Sequence, residues 1–373
     1  MRKVLIVMGR YLPGYKDGGP VQSIKNLTDR LGDSYEFRII TTDRDHGDER
    51  PYDGIRHDEW NRVGKAKVWY VYPGGFSRAI IEKLASEVDV VYLCGCFNDY
   101  ARTVMQLKKQ NRIKVSMVIA PMGLFSPGAM RIRCGKKKLY LTLCKVLGWF
   151  RGVTFSVTSE EEKKDVLREI GNGARCIIAK DLPRLEICEE TALEKDSGKL
   201  RVVFFSRISP KKNLEYALQV VKRLSGEVTF DIYGICEDEA YFNVCKSLMQ
   251  DMPAGVNCSY RGPLWPAQVK DVLSKYHVLL FPTLGENYGH VIYEAMMSGC
   301  IPVLSDTTPW DDVHGTVGVA LPLEDDDAFV FHLERIKAMT NAEYQKHRKS
   351  VYQYISEYQE RIDTTGYEEI LNL

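Results

Sequence analysis

The sequence contains no apolar run near the roughly 20 residues that a helix needs to cross a bilayer, which argues against a membrane-spanning chain. It also lacks a dominant charge. Fifty-one Lys and Arg stand against 50 Asp and Glu, a formal net charge of +1, so nucleic acid is not the expected partner. Met1 to Gly9 is one short apolar run that breaks at Gly9-Arg10 without a small-residue cleavage site, so it reads as a buried strand and not as an export signal. The ten cysteines are dispersed, and without an export signal they are expected as thiols in a reducing cytoplasm. No short-period repeat or low-complexity tract occurs, and Gly-x-Gly-x-x-Gly does not follow the first strand, which excludes the usual dinucleotide fingerprint.

What remains is an ordinary globular composition, 45% hydrophobic and 27% charged, spread over 373 residues. That length exceeds one typical domain, and two cores are expected. Apolar, β-branched runs alternate with helical patterns, the signature of parallel sheets wrapped by helices. Val4–Met8, Phe37–Thr41, Val68–Tyr72, Val88–Leu93, Val115–Ala120 and Thr154–Thr158 are predicted strands of a first domain. The pattern weakens between Ile178 and Lys199, then restarts with Arg201–Ser206, Thr229–Tyr233, Val256–Tyr260 and Val278–Phe281. We therefore expect an α/β chain with a first domain over residues 1–185 and a second over 186–340. A final helical segment, 341–373, carries an apolar stripe at Val351, Ile355, Tyr358 and Ile362.

In open parallel sheets ligands bind beyond the carboxyl ends of the strands, so the loops there carry the chemistry. After the first strand, Gly18-Gly19-Pro20 opens a helix where backbone N–H groups can meet an anion, or forms an ordinary glycine turn. After Ser206, Arg207, Lys211 and Lys212 share one loop, which suits a diphosphate or is a solvated basic turn. After Phe281, Glu286 lies in a glycine-bracketed loop and Glu294 on the following helix, seven residues between them. Two carboxylates flanking a helix start suit a polyol phosphate.

Together these loops resemble the GT-B fold retaining glycosyltransferases of family 4, the group 1 enzymes of bacterial polysaccharide synthesis. The resemblance rests on Glu286 and Glu294 with Ala295, Gly299, Pro302 and Val303 behind them, on Arg207 and Lys212, on Tyr233-Gly234, on Arg261-Gly262-Pro263-Leu264 and on Gly18-Gly19. It implies two Rossmann-like doubly wound domains facing a central cleft, with the 341–373 segment crossing back to the first domain. It implies that Arg207 and Lys212 neutralise the diphosphate, and that Gly18 or Gly19 closes on it. Glu294 would hold the ribose, while Glu286 with the backbone of Asn287, Tyr288 and Gly289 would grip a hexose. Gly234 and the Arg261–Leu264 loop, with Pro263 and Leu264, would meet the nucleotide. The activity implied is transfer of a hexose from a nucleotide-diphosphate sugar, a substrate and not a cofactor, to a glycan acceptor that can be lipid-linked, in capsule, lipopolysaccharide or exopolysaccharide synthesis. No metal and no protein nucleophile is implied. A nucleotide-sugar epimerase on the same fold, or a catalytically silent nucleotide-sugar-binding partner, stays open.

One position departs from the family. Ala120-Pro121-Met122-Gly123 carries Met122 where many relatives have His or Arg, and the Met122 side chain cannot donate a hydrogen bond to a hexose hydroxyl or a phosphate. His290 is a substitute by position, or a helix-start histidine. Cys94-Gly95-Cys96 reads as buried thiols, Asp43-Arg44-Asp45 as a mimic of a metal-binding Asp-x-Asp, and Asp325-Asp326-Asp327 as a helix cap. Arg131, Arg133, Lys136, Lys137 and Lys138 precede a Leu139–Phe150 helix that is apolar nearly all round, ending in Trp149 and Phe150. That segment either meets an anionic membrane at the cytoplasmic face or is a core helix with a solvated end.

Overall fold

Strands that are apolar on both faces need helices on both sides, and parallel sheets with crossover helices supply that cover. The computed structural model, which describes every residue but 132, 133 and 187, contains two such sheets in two units, residues 1–185 with 363–373 and residues 186–362.

The first unit is built on β1 (Arg2–Val7), β2 (Tyr35–Thr42), β3 (Asn61–Val63), β4 (Ala66–Val71), β5 (Val90–Cys94), β6 (Ser116–Ala120), β7 (Val153–Val157) and β8 (Arg175–Ile178). Their order is β3-β4-β2-β1-β5-β6-β7-β8, and only the β3–β4 pair is antiparallel. The second unit carries β9 (Lys199–Phe205), β10 (Glu227–Tyr233), β11 (Val256–Gly262), β12 (Val278–Phe281), β13 (Ile301–Ser305) and β14 (Val319–Leu321) in the order β11-β10-β9-β12-β13-β14, all parallel. Both sheets reverse their winding beside the first strand, at β1/β5 and β9/β12. The crevice beyond such a reversal is where open α/β sheets bind ligands.

Short β3 and β8 have no counterpart among the predicted strands, since three or four residues with exposed charges leave too little alternation to read. The segment after Asn341 is two helices. Asn341–Glu360 opens on a full capping box between Thr340 and Glu343 and buries Tyr344, Val351, Tyr352 and Ile355 against its own second unit. Thr365–Leu371 packs on β8 in the first unit. The long helix is pinned by Arg348, which is 1% exposed and donates to the Ser298 carbonyl at 3.1 Å and to Thr191 Oγ1 at 2.8 Å. Asp325 caps the helix Asp326–Ala338 by accepting from the Ala328 N–H at 3.0 Å.

Two details of the second sheet are set by close approach. At Gly234 (φ 150°) a Cβ atom would lie 1.7 Å from the Ser206 carbonyl oxygen, so the loops that leave β9 and β10 can approach this closely only at a glycine. His277, 2% exposed, accepts the Arg201 N–H on Nδ1 at 3.0 Å, and burial followed by the Arg201 charge pushes its pKa down to about 3.

Both features predict stability effects. Gly234→Ala should destabilise the second unit by about 3 kcal/mol. Gly315→Ala, at a positive φ of 73° in open space, should cost only about 1 kcal/mol. Equal losses of thermal midpoint in the two variants would contradict the clash at Ser206. Because the folded pKa of His277 lies below its ordinary 6.5, the unfolded chain takes up the proton first. The contribution is full above pH 6.5 and is lost as the pH falls toward 3. The urea midpoint of this unit should therefore drop between pH 6.5 and 5, and His277→Gln, which keeps a neutral acceptor, should flatten that dependence.

Candidate active site

β9 is hydrogen bonded to both β10 and β12, so the loops leaving β9 and β12 are neighbours. The β9 loop runs through Arg207 and a single 3-10 turn, Pro210–Lys212, to Asn213, which takes a left-handed conformation (φ 59°) and starts the helix Leu214–Lys222. The β12 loop runs from Pro282 to Gly289, a glycine at φ 79° that opens the helix His290–Met297 with no side-chain cap. Backbone and side-chain bonds stitch the two. Leu284 N–H donates to the Lys211 carbonyl at 2.9 Å, Thr283 Oγ1 donates to the same carbonyl at 3.1 Å, and Asn213 Nδ2 donates to the Pro282 carbonyl at 2.9 Å.

That stitching brings Lys212 and Glu286 together. Their side chains, 11% and 12% exposed, form an ion pair, with Thr283 Oγ1 3.3 Å from the same Glu286 oxygen and the Lys212 ammonium 5.6 Å from the Phe281 ring centre. Arg207 pairs instead with Glu237 on the β10 loop, at 2.9 Å and with both side chains about 40% exposed. The Lys211 ammonium is pushed below its ordinary range by burial, against the pull of Glu286. Three cations and Glu286 thus occupy one rim. Exposed ion pairs are worth about 0.5 kcal/mol, so separating Arg207 from Glu237 costs little.

The remaining predicted residues of this unit sit on the same carboxyl edge. Tyr288 is buried, with its carbonyl accepting from Trp310 Nε1 at 2.5 Å and its ring 4.7 Å from that of His290. Asn287 leads into the turn at Gly289, and Glu294 is half-buried one helical turn beyond His290. Arg261 turns away from its loop and pairs with Asp231 in the body of β10 at 2.8 Å. Pro263 is exposed and Leu264 packs partly against the core, beside the Gly262 carbonyl that accepts the Gly234 N–H at 3.0 Å.

In the first unit Gly18 (φ 65°) stands at the start of the helix Gly19–Leu31, which has no acidic residue in its first turn and no side-chain cap. Asp45 fixes the preceding loop by accepting the N–H groups of Tyr15 at 2.8 Å and Lys16 at 3.1 Å. Asp43 is fully buried and bonded to Arg44 at 2.8 Å and His57 at 3.0 Å. Burial opposes its ionisation, but these two bonds hold the carboxyl below its ordinary range. The Asp43-Arg44-Asp45 run is therefore occupied by side-chain and backbone bonds, and among the described residues no group of three metal-ligating side chains forms. Cys94 and Cys96 are buried, and burial pushes both thiols up.

Met122 is held at φ 53°, an uncommon conformation for a long side chain. Its neighbour Gly123 donates to Glu162 Oε1 at 2.6 Å, and the other carboxylate oxygen accepts from Thr158 N at 2.8 Å and Thr158 Oγ1 at 2.9 Å. Glu162, 4% exposed, thereby fixes the turn after β6. Glu162, Glu237 and Thr283 were not singled out from the sequence. Each lies in or just after a loop at the carboxyl edge, and that position was the available signal.

Among curated proteins none matches the chain. Solved structures do. The sucrose-phosphate synthase of Thermosynechococcus elongatus is 13% identical with a TM-score of 0.69, and the match covers 100% of this chain and 97% of that one. The Anabaena protein Alr3699/HepE, solved with UDP and glucose, is 14% identical with a TM-score of 0.62, covering 97% and 100%. WaaG, a glycosyltransferase involved in lipopolysaccharide biosynthesis, is 10% identical with a TM-score of 0.66, covering 99% and 98%. At these identities the likeness speaks for the fold. Residues 189–356 match the model of the family described as glycosyl transferases group 1. The chain has two Rossmann-like parallel-sheet units in the fold of the GT-B glycosyltransferases, and its second unit carries the match to glycosyl transferases group 1.

Proposed function

We propose that the protein is a metal-independent, retaining hexosyltransferase that moves a hexose from a nucleotide-diphosphate sugar to a glycan acceptor in the synthesis of a bacterial surface polysaccharide. The observation that carries this reading is the pairing of Lys212 with Glu286 across the β9/β12 reversal, with Arg207 on the same rim. One group suits the departing diphosphate and the other a sugar hydroxyl, and the two are set side by side. The family match over residues 189–356 supports it, as does the UDP and glucose in the Anabaena relative.

Breaking the bond between the anomeric carbon and the phosphate oxygen leaves negative charge on the diphosphate. Preplaced cations lower that barrier without reorganising. Arg207 and Lys212 take this role, aided by the uncapped start of the helix His290–Met297. The acceptor hydroxyl attacks the anomeric carbon on the face the phosphate leaves, and a phosphate oxygen takes the hydroxyl proton. Glu286 holds the hexose and Glu294 the ribose. The acceptor is a glycan, lipid-linked at a membrane surface.

A screen of single nucleotide sugars by mass spectrometry tests this. Free nucleotide diphosphate, increased by a glycan acceptor, is the expected product. An epimerised donor without release would instead mark an epimerase, and binding without turnover a silent partner, the outcome that Met122 favours. Arg207→Ala and Lys212→Ala should each lower kcat about 100-fold, or about 3 kcal/mol. Arg207→Ala is the cleaner of the two, since Lys212→Ala also strands Glu286. Glu294→Ala should weaken binding of free nucleotide diphosphate, whereas Glu286→Ala should spare it and blunt discrimination among sugars. Identical effects on free nucleotide affinity would refute the separate roles.

Chelator should leave turnover unchanged. Loss of activity in chelator, restored by manganese or magnesium, would contradict the metal-independent reading and require the Asp43 and Asp45 bonds to open.

A further inference from the structure

The helix Cys134–Val146 buries only Leu141 and Cys144, with Tyr140 partly covered on the same side. Trp149 and Phe150 lie beyond its end and pack on the first core. The opposite side is apolar as well. Leu139 is 63% exposed, Leu143 51%, Val146 79% and Leu147, just past the helix, 49%. Spaced at three, four and seven residues, they form one continuous stripe on the outside. A stripe of this kind is costly to leave in water and marks a docking face.

Charge says what docks there. Residues 100–159 hold twelve Lys and Arg and no Asp or Glu, in a chain whose net charge is +1. Exposed Lys136, Lys138 and Lys145 border the apolar stripe, and Lys109 and Arg151 converge beside Gly148 at its far end. A cavity of about 460 Å³ opens at that end, lined by Lys145, Arg151 and Arg175 among others, with Glu369 reaching Arg175 at 3.9 Å. Lys137 is engaged elsewhere, donating to the Ala129 carbonyl at 2.7 Å and lying over the Phe97 ring, and Arg133 falls outside the described residues.

We infer that this face docks on an anionic lipid bilayer, with Leu139, Leu143, Val146 and Leu147 entering the acyl boundary, the bordering lysines meeting the headgroups, and the cationic cavity taking one lipid phosphate. A soluble polyanion would use the lysines and leave the leucines in water. A bilayer uses both. The inference rests on the proposed function only in expecting the acceptor at that surface.

The test is sedimentation of the full chain with vesicles of phosphatidylcholine alone or mixed with phosphatidylglycerol. Binding is expected to the mixed vesicles at low salt and to be released by high salt. Lys136→Gln, Lys138→Gln and Lys145→Gln together should lower partitioning about 100-fold, and Leu143→Ser with Val146→Ser at least tenfold. Val244→Ser, at an exposed apolar site of the second unit, should change nothing. No sedimentation of the unmodified protein, or full sedimentation of the serine variant, would overturn the docking. So would a concentration-dependent dimer that the serine variant dissolves in the absence of vesicle binding, because a second copy would then cover the stripe. Donor turnover on a water-soluble glycan, measured on the same variants, separates the two readings. Its persistence without vesicle binding ends only the docking, and its absence throughout with vesicle binding intact ends only the transferase.

Discussion

Strand β9 has two parallel neighbours, β10 and β12, and the chain leaves its carboxyl end with loops of both at hand. No other strand of that sheet is flanked so that the winding turns in opposite directions on its two sides. Both ion pairs at the candidate site follow from this one adjacency. It sets Arg207 beside Glu237 on one side and Lys212 beside Glu286 on the other, although Lys212 and Glu286 are 74 residues apart in the chain. It also forces Gly234, because the β9 and β10 loops close to a distance that admits no Cβ.

The two ion pairs differ in what they do. Arg207 and Glu237 are solvated, contribute little to stability, and leave the guanidinium available to a stronger anion. Lys212 and Glu286 are nearly out of water, where the cost of desolvation offsets most of their attraction. Such a pair is poor glue. Its consequence is positional, since removing either charge strands the other, and Thr283, Lys211 and Asn213 fix the geometry from both loops. In the first unit Glu162 plays the comparable part for the turn at Met122, holding a strained conformation in place through the next residue's N–H.

The helix Cys134–Val146 shows why a segment apolar all round is ambiguous. In a core every face is covered. Here one side buries Leu141 and Cys144, and the other presents leucine and valine to the outside within a stretch of sequence that holds no Asp or Glu. Periodicity averages the two faces into one signal.

Read alone, the sequence determined the class of fold and the order of its parts. β-branched runs such as Val4–Met8 and Val278–Phe281 declare strands because they are buried on both faces, and Gly18, Arg207 and Glu286 declare loops because they follow those strands. The glycine and charged loops were therefore legible at once, as was the helix cap at Asp325. Strand order was not, since parallel pairing leaves no mark on spacing, and without that order Lys212 and Glu286 are merely two charges. Nor was the engagement of Asp43 with Arg44 and His57, the left-handed Met122, or the outward face of Leu143 and Val146. Local chemistry writes the pattern of each element into consecutive residues, but which side chains share a dielectric boundary depends on contacts between residues far apart in the chain, and those exist only once the sheet has closed its order.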